Sequence, residues 1–136
     1  MTDFKRVTDD LSVAPQICVA DVAEAARQGF TTIINNRPDG EDPSQPPGAE
    51  IEAAAKVAGL AYVHIPVRGA PGPAEVEAVR QVVDAAEGPV LAFCRSGTRS
   101  ITTWSIGQAM SGAMSRGDLV SLGRQAGYDL SGVLGG

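Results

Sequence analysis

One histidine, two cysteines and no apolar run of membrane-spanning length leave this chain few routes to metal chemistry, disulfide scaffolding or a lipid phase. A lone His64 excludes a clustered histidine metal site, and neither a metal nor a cofactor is expected. The first residues, Met1-Thr2-Asp3-Phe4-Lys5-Arg6, lack an apolar signal-peptide core, so the expectation is a cytoplasmic protein with no membrane partner. Cys18 and Cys94 stand in unrelated contexts, and a reducing compartment favours free thiols over a bridge between them. Positive charge is also scarce. Eleven Lys and Arg against sixteen Asp and Glu, a net charge of -5, argue against a nucleic-acid surface. Any anion site must then be a local concentration of arginine. No internal repeat, coiled-coil heptad or long low-complexity segment interrupts the 136 residues, and 43% apolar content supports one ordinary domain over 1–136.

Such a concentration exists where the apolar run Pro89-Val90-Leu91-Ala92-Phe93 ends in Cys94-Arg95-Ser96-Gly97-Thr98-Arg99-Ser100. The run reads as a short buried strand and the segment from Ser100 onward as a helix, with Arg95 to Arg99 as the turn between them. A cysteine below a helix N-terminus faces free N–H groups and the positive end of the helix dipole, so Cys94 is expected as a nucleophilic thiolate. Gly97 permits a tight turn, Thr98 and Ser100 offer hydroxyls, and Arg99 supplies a planar fork suited to a tetrahedral oxyanion, with Arg95 at the rim. Cys94 and Arg99 are the expected catalytic pair, with Arg95, Ser96, Gly97, Thr98 and Ser100 as substrate-binding residues.

The remaining chain alternates helix and strand. Phe4–Val7 and Leu11–Val13 suggest an opening hairpin or two edge strands. A helix starting near Asp21 ends at Gly29, and Thr31–Ile34, β-branched throughout, reads as a central strand. Its polar exit, Asn35 to Asp42, lies where α/β sheets build their sites, so Arg37 joins the candidate substrate-binding set. Asp39, Glu41 and Asp42 stand nearby as an acid or as a partner orienting an arginine. A helix around Ile51–Ala58 stops at Gly59 before the strand Leu60–Ile65, where His64 reads as structural. Helices carrying Val76, Val79 and Val83, then Ile106 and Met110, then Leu119 and Leu122 complete the pattern, and the Gly-rich tail should fray. The order implies an α/β fold whose mostly parallel central sheet carries helices on both faces.

Two resemblances attach to these residues. Cys94-Arg95-Ser96-Gly97-Thr98-Arg99, with four residues between Cys and Arg, resembles the active-site loop of rhodanese-type sulfurtransferases. The signature of cysteine phosphatases has five residues there and usually a His where this chain has Phe93, although Arg99-Ser100 resembles its closing pair. Over most of the chain, the segments Ile33–Glu41, Tyr62–Val67 and Ala126–Gly132 resemble the beta-lactamase-hydrolase-like, phosphatase-like domain family. That resemblance implies a cysteine-phosphatase-like, dual-specificity topology. Members of the family occur alone or fused to persulfide dioxygenase domains, so such a dioxygenase is a conceivable pathway partner.

Both chemistries use Cys94 as nucleophile and differ in the leaving group. Dual-specificity phosphatases usually carry an aspartate general acid after the strand matching Leu60–Ile65, whereas Val67-Arg68-Gly69-Ala70 has none before Glu75. Sulfite and thiolates leave without a proton. The resulting expectation is a sulfurtransferase that moves a sulfane sulfur from thiosulfate or a persulfide to a thiol or cyanide. A phosphatase acting on a phosphate ester, with Asp39, Asp42 or Glu75 as substitute acid, is the alternative. A non-catalytic module that binds anions or persulfides is the third reading.

Overall fold

The computed structural model describes residues 2–134. Five strands, β1 (Lys5–Arg6), β2 (Leu11–Ala14), β3 (Thr32–Asn35), β4 (Ala61–His64) and β5 (Val90–Phe93), form one sheet in the order β1-β2-β5-β3-β4. Only β1 runs antiparallel, to β2; every other pairing is parallel. Leu11–Ala14 is therefore an interior strand rather than an edge, held between β1 and β5 and buried along its whole length. Its four residues sit a short turn from β1, and that local hairpin signal hid the long-range parallel pairing with β5.

Helices α1 (Val19–Arg27), α2 (Gly48–Ala58), α3 (Pro73–Ala85), α4 (Thr98–Met110), α5 (Arg116–Ala126) and α6 (Ser131–Leu134) cover both faces. Alternation along the strands sorts the core. Ile33, Leu91 and Phe93 pack with Val22 and Ala25 of α1 and Ile51 and Ala55 of α2. Ile34, Val90 and Ala92 pack with Val79 of α3, Ile101 and Trp104 of α4 and Leu119 of α5. Period-two side chains make both faces apolar because both are covered.

Helix ends follow their caps with a few shifts. Gly59 and Gly127 close α2 and α5 in the left-handed conformation. The third helix stops at Ala85, and the short Ser-Gly-Val-Leu sequence of α6 carries no helical period to announce it. Gly135 and Gly136, within the tail expected to fray, lie outside the described residues. The fourth helix starts at Thr98 rather than Ser100, with Gly97 as its N-cap, so Arg99 belongs to its first turn. It is buried on most sides, and Thr103 and Ser105 satisfy their hydroxyls on the carbonyls of Arg99 and Thr102. No helix of the described residues is long and apolar enough to cross a membrane.

In register, Ala14, Phe93, Asn35 and His64 lie side by side at the strand C-termini. The segments leaving β2, β3, β4 and β5 consequently emerge at one edge of the sheet. The bond from Gln16 N–H to the Arg95 carbonyl (3.2 Å) ties the first to the last, and Val67 N–H to the Asn36 carbonyl (2.9 Å) ties the two between.

Candidate active site

Cys94 is the first residue past β5, and it is fully buried beneath the turn. Gly97 folds the chain back with φ 93°, which brings its N–H within 3.1 Å of the Cys94 sulfur. An N–H aimed at sulfur stabilises the anion that a nucleophile needs. No other residue fits at Gly97 easily. A Cβ there would stand 2.1 Å from the Tyr128 hydroxyl, which itself donates to the Ser96 carbonyl at 2.8 Å. Tyr128, just past the Gly127 cap of α5, thus props the turn from outside. Burial raises its pKa, and the charge of the nearby Cys94 adds to that.

Arg99 is clamped. Its Nη1 donates to Glu41 Oε2 at 2.7 Å and to the Val67 carbonyl at 2.8 Å, while Nη2 donates to Glu41 Oε1 at 2.7 Å. Three of the guanidinium's five N–H donors are thereby used. The two that remain, on Nε and Nη2, form the side-on fork that matches two oxygens of a tetrahedral anion. The hydrogen bond that Arg99 donates to Glu41 favours its charged form, and the nearby Cys94 sulfur favours it further against partial burial. Glu41 in turn is drawn from 4.5 down to about 2, first by Arg99 and then, against some desolvation, by Arg37.

Arg37 reaches the loop through other residues. It is almost wholly buried, donating from Nε to Glu41 Oε1 at 2.9 Å and from Nη1 to Gln16 Oε1 at 3.1 Å. The second cation therefore stands behind the carboxylate that holds the first. Among the remaining loop residues, Arg95, Ser96 and Thr98 are exposed, and Ser96 Oγ bonds Thr98 Oγ1 at 3.0 Å. Ser100 is buried with a hydroxyl that has no hydrogen-bond partner, a state that costs about 1–3 kcal/mol unless something accepts from it. His64 Nε2 lies 2.8 Å from the Arg37 carbonyl and so donates its proton there. Both cysteines are free: Cys18 is the exposed N-cap of α1, whereas Cys94 is buried. Among the described residues no cluster of His, Cys, Asp or Glu is placed to hold a metal ion.

Sequence reasoning did not single out Gln16, the Val67 carbonyl or Tyr128. Reading Leu11–Ala14 as an interior parallel strand would have put Gln16 at the correct edge of the sheet. Tyr128 lies in the Ala126–Gly132 segment that carries the family resemblance, but its place against the turn comes from the packing of α5.

The model of the family described as "Beta-lactamase hydrolase-like protein, phosphatase-like domain" matches residues 3–111. A beta-lactamase hydrolase-like protein of Agrobacterium fabrum is 41% identical over 126 residues, covering 92% of this chain and 29% of its own length. The chain thus spans under a third of the curated relatives it matches. Among solved structures, a "putative phosphatase" of Neisseria meningitidis aligns with TM-score 0.86 at 35% identity, over 97% of this chain and 94% of that one. Tk-PTP in its active form aligns with TM-score 0.72 at 21% identity, covering 93% and 86%, which speaks for the fold alone.

These findings overturn the sulfurtransferase and rhodanese-like expectation. That expectation weighed six residues of loop spacing and one missing carboxylate, both local features, whereas the likeness to phosphatases runs over nearly the whole chain and its strand order. The four-residue interval between Cys94 and Arg99 remains a departure from the five of the phosphatase signature. The fold around it has the cysteine-phosphatase-like, dual-specificity topology, and the chain belongs to the beta-lactamase hydrolase-like protein, phosphatase-like domain family.

Proposed function

We propose that the chain is a cysteine-dependent phosphatase that hydrolyses phosphate monoesters through a Cys94 phosphocysteine. One observation carries this reading: Arg99 is pinned by Glu41 and Val67 on one edge, leaving its side-on fork to face the buried Cys94 sulfur. In the first step Cys94 Sγ attacks phosphorus, and the P–O bond to the leaving group breaks. The fork of Arg99 and the turn amides hold the equatorial oxygens, where charge gathers in the transition state. Water then attacks the phosphocysteine, the S–P bond breaks, and inorganic phosphate and the thiolate are released. Because Cys94 has no exposed surface, this mechanism requires the turn to open before phosphorus reaches sulfur.

Glu41 acts as a positioning residue. It orients Arg99 without touching the substrate, and Arg37 offsets its charge from behind. Two free thiols suit a reducing compartment, and the cytoplasm is the location proposed.

Incubation with 4-nitrophenyl phosphate tests the reading. Phosphate release that is lost in Cys94→Ser, together with a mass gain of one HPO3 unit on Cys94 in a rapidly quenched sample, is the expected result. Undiminished turnover by Cys94→Ser, or no turnover by the native chain, refutes it.

A further inference from the structure

Resting on the phosphatase reading above, we infer that this site expels its leaving group without help from a protein acid. It therefore acts on phosphate monoesters whose leaving group departs as a stable anion, acidic phenols above all, and discriminates against phosphates of aliphatic alcohols. The inference comes from where each proton-bearing group around the turn is engaged.

The segment Ile65–Gly72 passes over the site and contains no carboxylate; its contribution is the Val67 carbonyl that accepts from Arg99. Glu41 is the carboxylate nearest the fork, and both its oxygens accept from arginine, so it carries no proton to give. Asp42 lies close enough to feel Arg37 and Arg95, but its Oδ1 accepts from both the amide and the hydroxyl of Ser44, at 2.9 and 2.7 Å. Asp129, beside Tyr128, is held in the same way by Ser131, at 3.0 and 2.6 Å. These donors favour the ionised forms of Asp42 and Asp129, the reverse of what a general acid requires. Asp39 is committed to the Gly48 amide at 2.7 Å, and Glu75 lies over Gly72 at the start of α3. The Tyr128 and His64 protons are given to the Ser96 and Arg37 carbonyls.

Beside the fork there is room for an apolar leaving group. An open cavity of about 450 Å³ shares Thr98 and Arg99 with the turn and is otherwise walled by Gly69, Ala70, Pro71, Thr102, Ile106 and Val133. A phenyl ring carried by a phosphate on Arg99 rests against these side chains, with no acid among them. The departing oxygen leaves with the P–O electron pair as phenolate and takes its proton from water.

A positioned general acid contributes about 10²–10⁴-fold, most for the poorest leaving groups. The native chain is therefore assayed on 4-nitrophenyl phosphate, phenyl phosphate, a phosphotyrosine peptide and an alkyl phosphate, with Cys94→Ser as blank. The expected result is a steep fall in kcat/KM along the phenols, by about 10²-fold from the nitrophenyl to the phenyl ester, and still lower turnover of the alkyl ester. The pH profile has no alkaline limb attributable to an acid, and Asp42→Asn, Glu75→Gln and Asp129→Asn leave the series unchanged. If only the peptide escapes the trend, recognition of the polypeptide supplies what the leaving group lacks, and the inference is overturned for that source. Rates within tenfold across the aryl series, or an alkaline limb that one of these three variants removes, overturn it outright. Failure of every ester, with no release dependent on Cys94, instead refutes the phosphatase reading itself.

Discussion

At the residue scale the proposed site turns on a carboxylate placed to orient an arginine rather than to react. Glu41 spans two arginines that would otherwise repel each other, and the pair it makes with Arg99 is end-on and bidentate. Replacing it by Gln removes the charge and places an amide N–H against one guanidinium. We expect Glu41→Gln to lower kcat/KM on an aryl phosphate by about 10–10²-fold, chiefly through kcat, since a misaimed Arg99 is felt most by the transition state. Glu41→Asp should recover part of it. Equal activity of Glu41→Gln and the native chain would remove Glu41 from the mechanism.

A pH dependence follows from the same pair. Glu41 titrates lower when folded, so its stabilising contribution is complete above 4.5 and disappears as pH falls towards about 2. The stability gap between native chain and Glu41→Gln, read from urea midpoints, should be flat around neutral pH and narrow in that acid window. A gap that grows on acidification would contradict it.

At the scale of elements, the decisive feature is a strand that ends where a helix begins. The turn between β5 and α4 is short enough that Gly97 must take a positive φ, and it is crowded by Tyr128 and the Ala14 carbonyl. Gly40, in the loop after β3, also has positive φ but nothing near it. A methyl group therefore has different consequences at the two sites. Gly40→Ala should cost about 1 kcal/mol, the penalty of the backbone conformation alone. Gly97→Ala adds displacement of Tyr128 and should cost about 2–4 kcal/mol and abolish phosphate release. Equal denaturation midpoints for the two variants would show that Tyr128 does not press on the turn.

At the scale of the whole molecule, one thin sheet separates two apolar layers, and the Cys94 turn follows β5, one of the three strands that contribute to both. Leu91→Ala opens the layer under α1 and α2, and Ile34→Ala the layer under α3, α4 and α5; each should cost about 2–5 kcal/mol. Trp104 is the only tryptophan and lies in the second layer. If the two layers melt as one, its fluorescence and the far-ultraviolet circular dichroism should report one transition in both variants. Separate transitions in Leu91→Ala would indicate that the layers fold independently.

Much of this arrangement is written in local pattern. The alternation of apolar strands with helices ending in glycine, the buried strand before Cys94 and the small polar turn after it are short-range features, governed by backbone sterics and side-chain period, and they read directly as an α/β fold with an anion turn. What lay beyond reach was decided by partners distant along the chain. Four strand ends had to align before Gln16, Glu41, Val67 and Arg99 could meet, and Glu41 is 58 residues from the arginine it holds. Six residues of loop pointed to sulfur transfer, and only the likeness spread over the whole chain corrected that to a phosphatase-like scaffold. By itself the sequence determined the class of fold and the strand–turn–helix that carries Cys94. The tertiary structure decided which carboxylate orients the arginine and which acids are already engaged, because those depend on through-space contacts that no periodicity encodes.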